Sequence, residues 1–212
     1  MCSPAYPELR REMGSEVHRM WIKHLMTNKE YFIPKLVGHI LEIYFTEPDL
    51  RKYAIPIFFD MMQFEYFDIG KRHDEETTKP NFDKFKTEMI HVLDSYVVDH
   101  GLGNMYYRDK FYDEMSELCQ SHTSLNVSGL EFVKLVDRLM THLLEYRQEH
   151  AISNRDEYKT NEMICVYNLL EFYKTNLPDH EELFVKYIIK LYELHIAQGQ
   201  GRQNWAEVSF YF

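Results

Sequence analysis

The segment Ser128–Arg147 has the sequence SGLEFVKLVDRLMTHLLEYR, and it decides the fold class that we expect. Its apolar residues recur three and four positions apart, which is the spacing of one face of an α-helix. They are Phe132, Val133, Leu135, Val136, Leu139, Met140, Leu143 and Leu144. Charged and polar residues occupy most other positions, so the segment predicts a long amphipathic helix with one buried face.

The residues around Ser128 predict where this helix begins. Ser128 can cap the free backbone amides while Glu131, three positions later, reaches back to form a capping box. Val127 and Phe132 stand where a hydrophobic staple would close over that box. We therefore expect the helix to begin at Ser128, with Val127 packed against Phe132.

The same helical spacing recurs along almost the whole chain. It predicts further helices over Leu50–Met61, from Phe82 to Gly101 and from Pro178 to Gly199. Less regular patterns cover Pro7–Met26, Pro34–Phe45, Arg108–Ser121, Asp156–Asn176 and Asn204–Phe212. No segment alternates apolar and polar residues as a strand would, so the sequence predicts an all-α fold of eight or nine helices. Successive amphipathic helices of this length are typical of an irregular α-solenoid.

Two polar stretches are predicted to connect helices. Gly70–Pro80 is expected to be a solvated surface loop, and Glu149–Asp156 is expected to mark the boundary between two structural units. Pro56 lies inside the apolar stripe of Leu50–Met61, where it removes the amide that would bond to Lys52. We interpret this proline as the site of a kink that suits packing against neighbouring helices.

Composition excludes several classes of protein. The 212 residues include only 8 glycines, about half the average share of roughly 7%, which argues against β-sandwiches and Rossmann-like folds. A net charge of −10 disfavours binding to nucleic acid, which depends on neutralised phosphates. The longest apolar stretch, Ala54–Phe59, is far shorter than the roughly 20 residues of a membrane span. Three scattered cysteines and no signal peptide predict reduced thiols in the cytoplasm.

Candidate metal sites are incomplete in the sequence. A di-iron bundle needs Glu-x-x-His on two helices, and Glu88 with His91 provides the pattern once. Cys119 and His122 would need a second pair of ligands to hold a structural zinc ion. The acidic run His73–Glu76 is interpreted as a solvated loop. The sequence therefore predicts no metal site.

Candidate catalytic and cofactor sites are equally sparse. Cys165 lies in an apolar helix and is interpreted as a small buried apolar residue. A Cys–His catalytic pair stays open, because such partners meet only in space, although no local context indicates an activated thiol. Gly101 and Gly103 lack the third glycine of a dinucleotide loop and are interpreted as a helix stop. We predict no catalytic residue and no cofactor.

Several stretches resemble the dedicator-of-cytokinesis (DOCK) family, which are large exchange factors for Rho-type GTPases. Leu50–Met62, with the sequence LRKYAIPIFFDMM, resembles the family segment LRKATIPIFFDMM, including the proline. Phe132–Arg147 and Met163–Lys174 are similar to family helices, and Asn204–Glu207 resembles the family stretch NYTEA. The resemblance runs in order from about residue 48 and is patchy before it.

The resemblance implies an internal fragment of such an exchange factor. It implies an irregular armadillo/TPR-like helical-repeat array, with residues 1–149 as the helical-repeat region and residues 150–212 as the incomplete start of lobe A of the exchange domain. The family's lobes B and C hold the GTPase, and no residue here matches the loop whose valine disturbs bound nucleotide and magnesium. The implied function is therefore a non-catalytic scaffold segment of an exchange factor for Rac/Rho-family GTPases.

The resemblance also implies partners and a setting. The first implied partner is a Rac/Rho-family GTPase, which would bind through the missing C-terminal lobes. The others are the rest of the DOCK chain and an adaptor of the engulfment and motility class. The setting is the cytoplasm, in pathways of actin remodelling and cell migration. Two alternatives remain: a free-standing helical-repeat adaptor that binds partner peptides on a concave apolar face, and a helical enzyme or metalloprotein.

Overall fold

The computed structural model describes residues 5–25, 28–72, 82–152, 156–177 and 181–198. Within these ranges the chain forms eight α-helices and no β-strand. They are α1 (Ala5–Lys23), α2 (Lys29–Thr46), α3 (Arg51–Arg72), α4 (Asp83–Asp94), α5 (Met105–Ser121), α6 (Ser128–Ile152), α7 (Asp156–Asn176) and α8 (Glu181–Ala197). The predicted all-α fold is confirmed.

Two short helical turns adjoin the α-helices. A 3₁₀ turn, Pro48–Leu50, leads into α3, and a π-helical turn, Ser95–Asp99, follows α4. Gly101 and Gly103 then adopt positive φ angles of 69° and 77°, a conformation that glycine adopts without steric cost. The predicted helix stop at these glycines is confirmed.

Several helix boundaries differ from the predicted ones. α3 continues through Pro56 and extends to Arg72, because Tyr66 in its last part stacks on Phe82 with ring centroids 4.9 Å apart and tertiary packing stabilises helices. α6 likewise extends to Ile152. The predicted loop at Gly70–Pro80 is therefore wrong over its first three residues. Residues 73–81 and 153–155, and the predicted helix Asn204–Phe212, lie outside the described residues.

The start of α6 also corrects a prediction. Val127 is 64% exposed, so the expected hydrophobic staple is wrong. Phe132 instead packs inward, with its ring centroid 5.0 Å from Phe82 and 5.7 Å from Phe85. The amide of Glu131 donates to the carbonyl of Val127, so the preceding turn supplies a backbone acceptor for the free amides. Burial against two aromatic rings outweighs a contact with one exposed valine.

The chain divides into two compact units, residues 1–137 and residues 138–212. In the first unit α3 packs against α2 and α1, and α2 packs against α4. Its core is aromatic: Phe58 lies 5.3 Å from both Phe85 and Phe111 between ring centroids, and Tyr44 lies 5.4 Å from Phe111. Rings in edge or tilted contact contribute energy beyond their buried area.

The second unit contains the last part of α6 together with α7 and α8. α7 packs against α8, and the ring of Tyr187 contacts those of Tyr146 and Tyr173, each at 5.5 Å between centroids. The boundary between the units lies inside α6, whereas the sequence placed it in the connector Glu149–Asp156. The assignment of residues 1–149 and 150–212 to a repeat region and to lobe A stays a prediction.

Candidate docking groove

An apolar groove opens between α1, α2 and α3 in the first unit, with a cavity of about 230 Å³. It is lined by Arg10, Met13, Gly14, Val17, Ile40, Ile43, Leu50, Tyr53, Ala54 and Ile57. Pockets for small molecules and cofactors occupy about 300–1,000 Å³ and converge a few polar groups. This groove is smaller and almost wholly apolar, so it suits apolar groups better than a polar small molecule or cofactor.

Gly14 sets how closely α1 approaches the floor of the groove. A Cβ atom at this position would lie 2.9 Å from Leu50 Cδ2 and 2.9 Å from Tyr53 Cδ2. Such contacts are shorter than van der Waals packing allows, so a residue without a side chain lets α1 lie against Leu50 and α3 here.

Ion pairs hold the first half of α1 beside the 3₁₀ turn. Arg10 pairs with Glu47, and Arg11 Nη2 lies 3.1 Å from Asp49 Oδ2. All four side chains are about a third to two-thirds exposed, and exposed pairs of this kind stabilise proteins only slightly. Their effect is to orient this part of α1 over the groove.

Asp60 binds the second half of α1 through a hydrogen bond with Trp21. Its Oδ2 atom accepts hydrogen bonds from Trp21 Nε1 at 2.7 Å and from Lys29 Nζ at 2.5 Å. Lys29 also lies 5.4 Å from the centre of the Trp21 ring, and its side chain is only 10% exposed. Hydrogen bonds to a shielded charge are stronger than those between neutral groups, so Asp60 ties α1 and α2 to α3.

Sequence reasoning did not select Asp60. A signal was present, because Asp60 is the one charged residue in the apolar run Ile57–Met62. A carboxylate within a buried run needs a partner, which indicates a structural or functional role. Trp21 and Lys29 could not be identified as its partners, since they meet it only in the folded chain.

The outer face of α1 continues the apolar character of the groove. Met13 at 60% and Val17 at 43% exposure form the rim, and Leu9 and Met20 extend the stripe in both directions at 54% and 50%. Four large apolar side chains in a row on a surface helix are typical of a face that contacts another polypeptide.

Arg51 fixes the start of α3 beside the groove. Its Nε atom donates to the carbonyl oxygen of Tyr44 at 2.7 Å, and its guanidinium lies 3.9 Å from the centre of the Tyr107 ring. The side chain is buried, and Nη2 has no hydrogen-bond partner among the described residues. Stacking on tyrosine suits the planar guanidinium and joins α3 to α2 and α5.

Comparison with known proteins identifies the family region that contains the groove. The family model "Dedicator of cytokinesis (DOCK) TPR region" matches residues 3–115, more than half of the chain. The chain belongs to the DOCK family. All residues that line the groove fall within the matched part, so the groove is a feature of this chain's DOCK TPR region.

The similarity extends beyond that region. Human dedicator of cytokinesis protein 4 is 35% identical over 206 residues, and mouse dedicator of cytokinesis protein 3 is 32% identical over 215 residues. Each alignment covers 97% of this chain. It covers only 9% of the human protein and 10% of the mouse protein. The chain therefore spans about a tenth of the length of the curated DOCK relatives it matches.

The incomplete metal-ligand patterns weighed in the sequence are not assembled into sites in the described part of this DOCK chain. Glu88 and His91 lie on α4, and no group of three or more His, Cys, Asp or Glu residues is placed to hold an ion within the described ranges. His122 lies between aromatic rings, with centroids 6.1 Å from Phe59 and 5.9 Å from Phe67. The acidic run at residues 73–76 lies outside those ranges.

The described cysteines are not activated. Burial raises the pKa of the Cys119 thiol to about 11. Cys165 is half-buried, and its pKa is also raised to about 11, first by burial and then by the charges of Glu145, Glu149 and Glu162. Nucleophilic cysteines have lowered pKa values, so both environments favour the neutral thiol. Cys165 is thus less buried than predicted, and it lies among carboxylates.

None of the described helices combines the length and the apolar character needed to cross a bilayer.

Proposed function

We propose that this chain is a non-catalytic helical scaffold segment of a DOCK-type guanine nucleotide exchange factor for Rac/Rho-family GTPases. The observation that carries the proposal is the match of residues 3–115 to the DOCK TPR region. The alignments over 97% of the chain to about a tenth of two longer DOCK proteins support it. The resemblance also supports it, because it implies that lobes B and C bind the GTPase and no residue here matches the loop that disturbs bound nucleotide.

A scaffold must hold its neighbours in fixed positions, and the contacts inside each unit suit that role. In the first unit Asp60 and Arg51 join α3 to three other helices. In the second unit Glu162 Oε1 on α7 lies 2.7 Å from His150 Nδ1 on α6 and 3.5 Å from Lys190 Nζ on α8. Buried charges with such partners fix one arrangement of helices.

The proposal includes partners that act through the rest of a DOCK chain. The GTPase is bound by lobes B and C, residues 150–212 begin lobe A, and an adaptor of the engulfment and motility class binds the larger assembly. The proposed setting is the cytoplasm, in actin remodelling and cell migration. Within it, this segment holds lobe A at a set position relative to the upstream domains.

An exchange assay tests the non-catalytic part of the proposal. The purified 212-residue chain is added to a Rac GTPase, and to a second Rho-family GTPase, loaded with fluorescent GDP. We expect the release rate to stay at the intrinsic value, while EDTA, which removes magnesium, serves as the positive control for release. Accelerated release by the chain would refute a non-catalytic segment.

A chimera tests the scaffold part. The matched segment of human dedicator of cytokinesis protein 4 is replaced by this chain, and exchange on Rac is compared with that of the unmodified human protein. We expect a folded chimera to keep the exchange rate within a few-fold, because the segment holds the lobes without contacting nucleotide. A folded chimera that has lost exchange would contradict the role.

The groove favours a second candidate function, an adaptor that binds an amphipathic helix. Helix-in-groove recognition uses apolar anchors at helical spacing, and the cavity lined by Ala54 is apolar. A display library of amphipathic helical peptides tests it. Saturable binding that Ala54→Leu abolishes, and that the exposed-site control Ala151→Leu preserves, would favour the adaptor over the scaffold.

A further inference from the structure

The outer surface of α1 carries an apolar stripe beside a charged flank. Four apolar side chains that are 43–60% exposed form the stripe: Leu9, Met13, Val17 and Met20. Because successive residues of a helix are rotated by about 100°, these four lie within one arc of about 80°. The next arc of similar width holds the charged flank, which consists of four exposed residues: Glu8, Glu12, Arg19 and Lys23.

The charged flank is acidic in its first half and basic in its second half. Glu8 and Glu12 precede the middle of α1, and Arg19 and Lys23 follow it. In an antiparallel pair related by a two-fold axis, the same flank of both helices lies on the same side. The acidic half of one copy then faces the basic half of the other, so the flank is complementary to itself.

The apolar and the charged residues share one antiparallel register. A second α1 centred near Ser15 places four kinds of pair opposite each other: Leu9 with Met20, Met13 with Val17, Glu8 with Lys23, and Glu12 with Arg19. The centres of these pairs agree to within about one residue, or roughly 1.5 Å along the helix. A single register therefore covers the stripe and pairs all four charges of the flank.

The other side of the stripe is occupied within the chain. Arg10 pairs there with Glu47, and Trp21 donates a hydrogen bond to Asp60. A parallel two-fold pair would bring opposite flanks together and would set the charged flank of one copy against this occupied side. The contacts of α1 with its own chain therefore favour the antiparallel pair.

Glu16 lies near the centre of the register, where it approaches its own counterpart. Its charge is offset within the chain, because Arg19 Nε and Nη2 lie 3.0 and 2.6 Å from Glu16 Oε2. A guanidinium has five N–H donors, so Arg19 can hold Glu16 and still face Glu12 of the second copy.

We propose that the stripe and the charged flank of α1 bind the α1 of a second copy of this chain in an antiparallel, two-fold pair. One pair of helices is a small interface, so the dimer is in reversible equilibrium with the monomer. The proposal goes beyond the scaffold role. It is also distinct from peptide binding in the groove, because Leu9 and the charged flank do not line that cavity.

Sedimentation equilibrium of the intact chain over a range of concentrations tests the surface. We expect a reversible dimer whose dissociation constant rises about tenfold or more in Leu9→Asp, because the charge enters the covered stripe. Ile189→Asp is the matched control, since Leu9 and Ile189 are both 54% exposed and Ile189 lies on α8. A chain that stays monomeric throughout would overturn the proposal, and so would dimers that Ile189→Asp dissociates and Leu9→Asp preserves.

Charge reversal tests the antiparallel register. Glu8→Lys gives a chain with lysine at both ends of the flank, and Lys23→Glu gives one with glutamate at both ends. We expect each variant alone to dimerise more weakly, because its end pairs become repulsive. An equimolar mixture should regain the affinity of the unmodified chain within a few-fold, since every end pair of the heterodimer is again opposite in charge.

This rescue cannot arise within a single helix. Glu8 is in the first turn of α1 and Lys23 is in the last, so each reversal also opposes the helix dipole in the mixture as much as alone. A mixture that dimerises no better than its components would contradict the antiparallel pair and overturn the proposal. Circular dichroism of each variant monitors the helix content.

Discussion

At the scale of single residues, the close approach at Gly14 makes a steric prediction. Gly14→Val adds atoms where even a Cβ would lie 2.9 Å from Leu50 and Tyr53. Overpacking of this kind destabilises by about 1–3 kcal/mol, so we expect the midpoint of urea unfolding to fall. Ser15→Val puts the same side chain at an exposed position of α1 and serves as the control. Equal effects of both variants would show that valine in this helix, and not contact with α3, causes the loss.

Cys165 makes a chemical prediction at the same scale. Because burial and three carboxylates raise its pKa to about 11, only about one thiol in a thousand is ionised at pH 8. We expect its alkylation by iodoacetamide, followed by peptide mass spectrometry, to accelerate about tenfold per pH unit from pH 8 towards 10. Glu149→Gln removes one negative charge and should speed the reaction at pH 8. A midpoint near 8.5, as for free cysteine, would contradict this environment.

At the scale of elements, the attachment of α1 depends on one shielded contact more than on two exposed ones. Asp60→Ala leaves Lys29 Nζ and Trp21 Nε1 without their acceptor, which we expect to cost about 1–3 kcal/mol. Asp49→Ala breaks only the exposed pair with Arg11 and should cost less than about 1 kcal/mol. Chemical unfolding followed by the circular dichroism of the helices measures both. A larger loss for Asp49→Ala would place the attachment of α1 at the 3₁₀ turn.

The helices themselves were largely predictable because their signals are local. The apolar spacing of Phe132–Leu144 and of Leu183–Leu194 places one face inside, and Gly101 marks a stop through its positive φ. The predicted α3 is too short, since its extension to Arg72 depends on the contact of Tyr66 with Phe82, the residue that precedes α4. The same cause explains the wrong staple at Val127.

The candidate groove was not predictable from spacing. Periodicity shows which residues share a helix face, but it does not show what covers that face. The stripe Leu9, Met13, Val17 and Met20 has the pattern of a buried face, yet all four are exposed. The cavity beside Ala54 arises from how α1 is held by Asp60 and the 3₁₀ turn, which are contacts between distant parts of the sequence.

At the scale of the whole molecule, the two compact units predict separate local stabilities. Glu162 is 1% exposed and contacts partners on α6 and α8. We expect Glu162→Gln to raise native-state hydrogen exchange in α7 and α8 and to leave α2 and α3 unchanged, because local opening follows cooperative units. Glu171→Gln, at an exposed position of α7, is the control. If Glu162→Gln accelerated hydrogen exchange equally in all helices, the described helices would form a single cooperative unit.

The packing of helices against near neighbours in sequence has a kinetic consequence. α2 packs with α3, and α7 packs with α8, so most loops that must close are short. Helical proteins with such local contacts fold in about microseconds to milliseconds, whereas synthesis adds roughly 5–20 residues per second. Residues 1–137 therefore have seconds to fold while residues 138–212 are still being made, so their aromatic core forms before α7 and α8 leave the ribosome.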